Sequence, residues 1–200
     1  AMTPSEIFHQ IGQHLLEDAR PSQALEQLFA QPLPAEFDPL QRLKTTKQSP
    51  VHHPEGNVWN HTMLVVDEAA KRRGESKCPE ALMWAALLHD IGKPDTTRVR
   101  KGKITSYDHE KVGVELARRF LSGFEADKAL TDRVCMLIRY HMQILFVVKD
   151  MPFADINGMK KNTDVTEVAL LGLCDRLGRL HADLAAEKAN VRCFLEKCGR

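Results

Sequence analysis

The apolar run Ala81-Leu82-Met83-Trp84-Ala85-Ala86-Leu87-Leu88 constrains this chain more than any other stretch, because it has no polar face and stops at His89-Asp90. A helix that is apolar all round belongs in the interior. Its end therefore brings an imidazole and a carboxylate inward, and a bare buried carboxylate is costly unless something positive meets it. Ile91-Gly92-Lys93-Pro94 follows at once and places an ammonium beside the pair. A divalent metal is the simplest partner for such a site.

Other polar residues close apolar stripes of their own. By their spacing Leu130, Val134, Leu137, Ile138 and His141 share one helix face, as do Val168, Leu171, Gly172 and Asp175, and likewise His109, Val112, Gly113, Leu116 and Phe120. Each polar group sits at one end of its stripe, which suits a site at the rim of a helical bundle's core. His61 lies upstream in Val58-Trp59-Asn60-His61-Thr62-Met63. Imidazoles and carboxylates without thiolates suit a divalent ion such as Mn, Fe, Ni, Co or Zn.

The fold expected is an all-α bundle. Thr3-Pro4-Ser5-Glu6 reads as a capped helix start, and short helices follow at Ser22 to Phe29 and from Asp38-Pro39. Thr46 to Asn57, with its prolines, glycine and adjacent histidines, reads as an ordered loop of the kind that carries function. Helices are predicted near 58–73, 80–91, 108–123, 127–142, 163–178 and 180–196. Only residues 99–107 look β-like, with Lys101-Gly102-Lys103 turning at most a small hairpin. One domain over 1–200 is expected: an N-terminal helical scaffold (1–50), a metal-site core (51–179) and a C-terminal helix (180–200).

Composition narrows the partners. Lys plus Arg (28) nearly cancel Asp plus Glu (27), so a nucleic acid would need a local basic patch, such as Lys71-Arg72-Arg73 or Arg98 to Lys103. Otherwise these clusters are solvated faces. Five cysteines without Cys-x-x-Cys pairing suit a reducing compartment, no apolar run is long enough for a bilayer, and no secretory signal is visible. A cytoplasmic chain without membrane contact is expected; its oligomeric state is not legible.

In chain order the polar groups read His61, His89-Asp90, His109, His141, Asp175. This resembles the signature of the HD superfamily of metal-dependent phosphohydrolases from about Trp59 to Arg179. His53-Pro54-Glu55-Gly56, Trp59-Asn60-His61-Thr62, His109-Glu110-Lys111-Val112-Gly113 and Asp175-Arg176-Leu177-Gly178-Arg179 are similar to the HD domain carried behind bacterial tRNA nucleotidyltransferases, the CCA-adding enzymes. The nucleotidyltransferase motif itself is absent, so CCA addition is not expected. The resemblance implies that His61, His89, Asp90 and Asp175 hold a primary ion, with His109 and His141 completing a second and Asp90 bridging the two. Two such ions stabilise attacking and leaving oxygens of an in-line phosphoryl displacement.

Asp90 and Lys93 are then the expected catalytic pair, Lys93 binding a phosphate oxygen as charge shifts. Substrate-binding candidates are His53, Glu55, Lys93, Arg176 and Arg179, the arginines being suited to bidentate phosphate contact. The substrate implied is a nucleotide phosphomonoester or phosphodiester, a 2′,3′-cyclic phosphate or an RNA 3′ end among the forms considered. Blander roles stay open at single positions. His109 or His141 alone reads equally as a hydrogen-bonded core residue, Lys93 as a helix C-terminal charge, and Arg176 and Arg179 as surface ion pairs. Two other functions also stay open: a di-iron HD-fold oxygenase, and a non-catalytic nucleotide-binding regulatory module.

Overall fold

The computed structural model describes residues 1–199. Its helices are α1 (Pro4–Glu17), α2 (Pro21–Phe29), α3 (Asp38–Gln41), α4 (Val58–Arg72), α5 (Pro79–Leu88), α6 (Lys93–Thr96), α7 (His109–Gly123), α8 (Lys128–Tyr140), α9 (Gln143–Val148), α10 (Ile156–Asn162), α11 (Val165–Leu177) and α12 (Leu184–Lys197). Among the described residues the sheet is a single antiparallel hairpin, β1 (Arg98–Arg100) with β2 (Lys103–Thr105). The fold is all-α, as the periodicity predicts.

Helix α5 is the axis of the bundle. Every residue from Ala81 to Leu88 is buried, and α1, α4, α8 and α11 pack around it. Burying a large apolar side chain is worth about 1.5–3 kcal/mol, so this helix holds the others at the positions from which they reach its end. The N-terminal helices are tied to the same core. The Phe8 ring stacks on Trp84 with centroids 4.8 Å apart, Phe29 packs on Trp59, and the Trp59 indole donates to Glu26 at 2.8 Å. Thr3 caps α1 by accepting from the Glu6 amide at 3.2 Å.

Helix α5 ends at Leu88, not at residue 91. Ile91 is apolar and buried, which extends the stripe, but its amide donates to the Leu88 carbonyl and the chain turns into α6. Helix α7 is rotated from its expected face. Gly113, Ala117, Phe120 and Leu121 are buried, whereas Val112 and Leu116 are half-buried. Helices α9 and α10 lie in a stretch where no helix is predicted. The buried Gln143 side chain joins them, accepting from the Asp155 amide at 2.7 Å, a tertiary contact without a periodic signal. The last helix starts only at Leu184 because His181 takes a left-handed conformation (φ 64°) and Asp183 provides the cap, accepting from the Ala186 amide. No described helix is long and apolar enough to cross a membrane, and no disulfide joins the cysteines.

Candidate metal centre

Four helices and one turn converge at the end of α5. His61 comes from α4, His89 and Asp90 from the turn after α5, His109 from the first residue of α7, His141 from the end of α8, and Asp175 from α11. Gly92 allows the turn to sit against α7: a Cβ there would lie 2.2 Å from the His109 carbonyl and 2.7 Å from the Gly113 amide nitrogen. Gly178 does the same between α11 and α4, where a Cβ would meet Val65 backbone nitrogen at 2.9 Å.

The imidazoles share one orientation. His61, His89, His109 and His141 each donate from Nδ1 to a backbone carbonyl, of Gly178, Ala86, Ser106 and Ile138 respectively, at 2.7–2.8 Å. A carbonyl only accepts, so the Nδ1 proton is fixed and each Nε2 is left with its lone pair unless the ring is charged. All four Nε2 atoms face carboxylates. His61 Nε2 lies 2.7 Å from Asp175 Oδ1 and 3.7 Å from Asp90 Oδ2, and His89 Nε2 lies 3.2 Å from Asp90 Oδ2 and 3.4 Å from Asp175 Oδ1. On the other side His109 and His141 Nε2 lie 3.2 and 3.5 Å from Asp90 Oδ1. Asp90 thus divides its two oxygens between two pairs of imidazoles.

These contacts fit cations. His109 and His141 Nε2 face each other at 3.1 Å, a repulsive meeting of lone pairs unless a proton or a metal lies between. His89 Nε2 and Asp90 Oδ2 are buried with no hydrogen-bond partner, which is unusual for buried polar atoms. The electrostatics agree. Burial opposes ionisation of Asp90 and Asp175, yet the surrounding cations, His89 foremost, hold both carboxyls well below the usual range. Burial likewise opposes charge on His89, but Asp90 and Asp175 outweigh it and push that imidazole up to about 10. A ring made this basic by carboxylates is one that a divalent ion, in place of its proton, would satisfy. The cluster is therefore able to hold a metal, with the choice of ion left to the mixed nitrogen and oxygen donors.

The loop 46–57 closes one side. Glu55 Oε2 accepts from His53 Nδ1 at 2.8 Å and lies 3.1 Å from His61 Nδ1, so it buttresses a ring of the cluster. Burial, then the charges of Lys93, His61 and Arg179, lower His53 to about 4 and keep it neutral. Lys93 is buried, with Nζ 3.3 Å from Asp90 Oδ2 and donating to Gln48 Oε1 at 3.1 Å. Gln48, which no spacing in the sequence singles out, is fixed in turn by donating to the Gly56 and Asn57 carbonyls. Arg179 presents a buried Nε without a partner. Arg176 is not brought to the cluster. It pairs with Glu187 on α12 and lines a separate cavity with Ile144, Leu145 and Asn190, because consecutive residues on a helix point about 100° apart and Asp175 occupies the inward position. The cluster opens to solvent beside Asp175 and His53, whose side chains are 14% and 12% exposed.

Comparison with known proteins agrees with this arrangement. The HD domain family model matches residues 58–180. The Multifunctional CCA protein of Halorhodospira halophila is 31% identical over 143 residues, covering 71% of this chain and 33% of that protein. The Multifunctional CCA protein of Aromatoleum aromaticum is 34% identical over 146 residues, 70% of this chain and 33% of its own length. That of Actinobacillus pleuropneumoniae serotype 5b is 35% identical over 106 residues, 53% and 25% respectively. The chain thus spans a third or less of the length of these relatives. The family match, by contrast, runs through every helix that feeds the cluster and over more than half of the chain, so this protein belongs to the HD domain family.

Proposed function

We propose that this domain is a metal-dependent phosphohydrolase acting on a nucleotide phosphomonoester or phosphodiester, a 2′,3′-cyclic phosphate among them. The observation that carries the reading is Asp90, whose two oxygens each face a separate pair of imidazoles aimed by carbonyl-bound Nδ1 protons. In the first half His61, His89, Asp90 and Asp175 would hold one ion; in the second Asp90, His109 and His141 would hold another. Divalent ions bound in this way lower the pKa of water and act as Lewis acids on a phosphoryl oxygen.

The chain's own groups would do the rest. Lys93 donates one N–H to Gln48 and lies in ion-pair range of Asp90, which leaves donor capacity for a non-bridging phosphate oxygen. Arg179, with its free buried Nε, would share that charge. His53, neutral and with Nδ1 tied to Glu55, offers Nε2 as an acceptor for a substrate hydroxyl and is too weak a base to take a proton at neutral pH. Relatives carrying the name Multifunctional CCA protein support a nucleotide, free or at an RNA end, as substrate.

The test is hydrolysis of bis(p-nitrophenyl) phosphate, 2′,3′-cAMP and nucleoside monophosphates by the metal-stripped protein reloaded with Mn, Fe, Ni, Co, Zn or Mg. Turnover with at least one ion, abolished by Asp90→Ala, is expected. No turnover with any ion, together with metal binding untouched by Asp90→Ala, would remove the proposal. Oxygen consumption by the iron-loaded protein in place of hydrolysis would redirect it to oxygenation.

A further inference from the structure

The hairpin β1–β2 stands between two parts of the metal centre and carries a charge pattern that the phosphohydrolase reading does not use. Residues 96–107 contain Arg98, Arg100, Lys101 and Lys103 and no acidic residue, in a chain whose net charge is only +1. The ion pairs nearest in sequence, Arg42 with Asp95 and Lys111 with Asp108, lie outside the hairpin, and among the described residues none of its four cations has a carboxylate partner. Arg100 is paired directly across the ladder with Lys103, and like charges in that position repel. Lys101 occupies the turn with φ 51°, ahead of Gly102 at 76°, where asparagine or glycine is the favoured first residue. The sequence therefore concentrates cations here against both cross-strand and turn preferences. An external anion would relieve that repulsion.

Two further features indicate what the anion belongs to. Val99 and Tyr107 are 74% and 62% exposed, and the Arg100 guanidinium lies over the Tyr107 ring, 5.4 Å from its centroid. An exposed aromatic ring with an arginine on it is a stacking platform for a base, and the flanking cations suit a phosphodiester backbone. A membrane surface fits less well, because a lone exposed valine is no apolar face to insert. The feet of the hairpin rest on the cluster itself. Thr97 Oγ1 donates to the Lys93 carbonyl at 2.7 Å and lies 2.7 Å from Ser106 Oγ, and the Ser106 carbonyl accepts from His109 Nδ1.

We infer that the β1–β2 hairpin is a binding arm for single-stranded polynucleotide, RNA in the first instance, which holds the chain by its phosphates and one stacked base next to the His/Asp cluster. The inference goes beyond the phosphohydrolase reading and does not depend on it, since binding is measured without turnover.

The experiment is fluorescence anisotropy of the intact chain with a labelled single-stranded RNA of about 12 nucleotides, over a salt series and without added metal. Single-stranded DNA of the same sequence and phosphatidylcholine vesicles containing phosphatidylserine serve as parallel probes. Wild-type protein binds the RNA, and Arg98→Gln/Arg100→Gln/Lys103→Gln weakens binding at least about tenfold while lowering the slope of log K against log salt by roughly 2. Tyr107→Ala weakens it roughly five- to a hundredfold with the salt slope unchanged. Melting temperatures of the variants are recorded alongside, and Lys101→Gln/Lys103→Gln, confined to the exposed turn, replaces the triple variant if that variant unfolds. Undetectable RNA binding at low salt, equal affinity of folded variants and wild type, or binding to vesicles and not RNA overturns the inference. Equal binding of RNA and DNA sustains it and removes only the preference for RNA. Hydrolysis of 2′,3′-cAMP by the wild-type protein is scored separately, so failure of the hydrolase reading leaves the binding result intact.

Discussion

At the scale of single residues, the decisive atoms are the imidazole Nε2 positions, because four backbone carbonyls have fixed where the protons are not. Asp90 divides the cluster, so truncations on its two sides should differ. His61→Ala is expected to remove the primary ion, whereas His109→Ala or His141→Ala leaves one ion of two, measured as metal stoichiometry by mass spectrometry or titration. Equal loss in all three variants would mean that the cluster holds a single shared ion. Glu55→Gln weakens the acceptor behind His61 and should lower metal affinity about 10–100-fold, the usual effect of such supporting groups, with helicity retained. Protons compete for the same nitrogens. His89 is raised from 6.5 to about 10 by its carboxylate neighbours, so in metal-free protein its contribution to stability is complete below 6.5 and fades as pH rises towards 10. Thermal unfolding of the metal-free protein should therefore shift downwards across that window. Metal affinity should rise over the same range as protons leave the ligands.

Among the elements, α5 fixes the position of the site and its neighbours supply it. Gly92 matters for space, since its φ is ordinary (−80°) but its missing Cβ leaves room for the His109 and Gly113 backbone. Gly92→Ala is expected to push α7 away from the turn and to cost more metal affinity at the His109 side than at His61, checked by stoichiometry together with melting temperature. A fully retained second ion would show that α7 can slide without moving His109. The entry to α11 is set by Asp164, which accepts from the Thr166 amide at 2.8 Å and from Lys77 Nζ at 2.6 Å. Burial opposes its charge, but the Lys77 and Thr166 hydrogen bonds prevail and hold it at about 2. Asp164→Ala should cost about 1 kcal/mol of stability at neutral pH, as loss of an N-cap does. A carboxylate held low contributes above its ordinary 3.8 and loses that contribution as pH falls through 2, so the difference between Asp164→Asn and wild type should narrow in acid, read by denaturant titration at several pH values.

For the whole molecule, the buried Asp90 carboxylate and the unpartnered His89 Nε2 predict a protein that a bound divalent ion stabilises. An ion at 100 times its dissociation constant adds about 2.7 kcal/mol, so the melting temperature should rise with a suitable metal and fall back with chelator, and Asp90→Ala should abolish the rise. The all-α class, the central helix, the hairpin and the order of the histidines and aspartates that cluster are legible in the sequence, because burial imprints periodicity and because His89-Asp90 closes a run with no polar face. The sequence did not determine where α5 stops, the helices within 142–163, or the α7 face, each governed by contacts between distant residues such as Gln143 with Asp155 and Gly92 with His109. Nor did spacing mark Gln48, or part Arg176 from Arg179, which lie three residues apart yet meet Glu187 in one case and the surroundings of His53 in the other. Periodicity tells a residue whether to face inward. Only the packed helices decide which inward groups meet, which carbonyl takes each imidazole Nδ1 proton, and hence that Asp90 stands between two sets of Nε2 atoms.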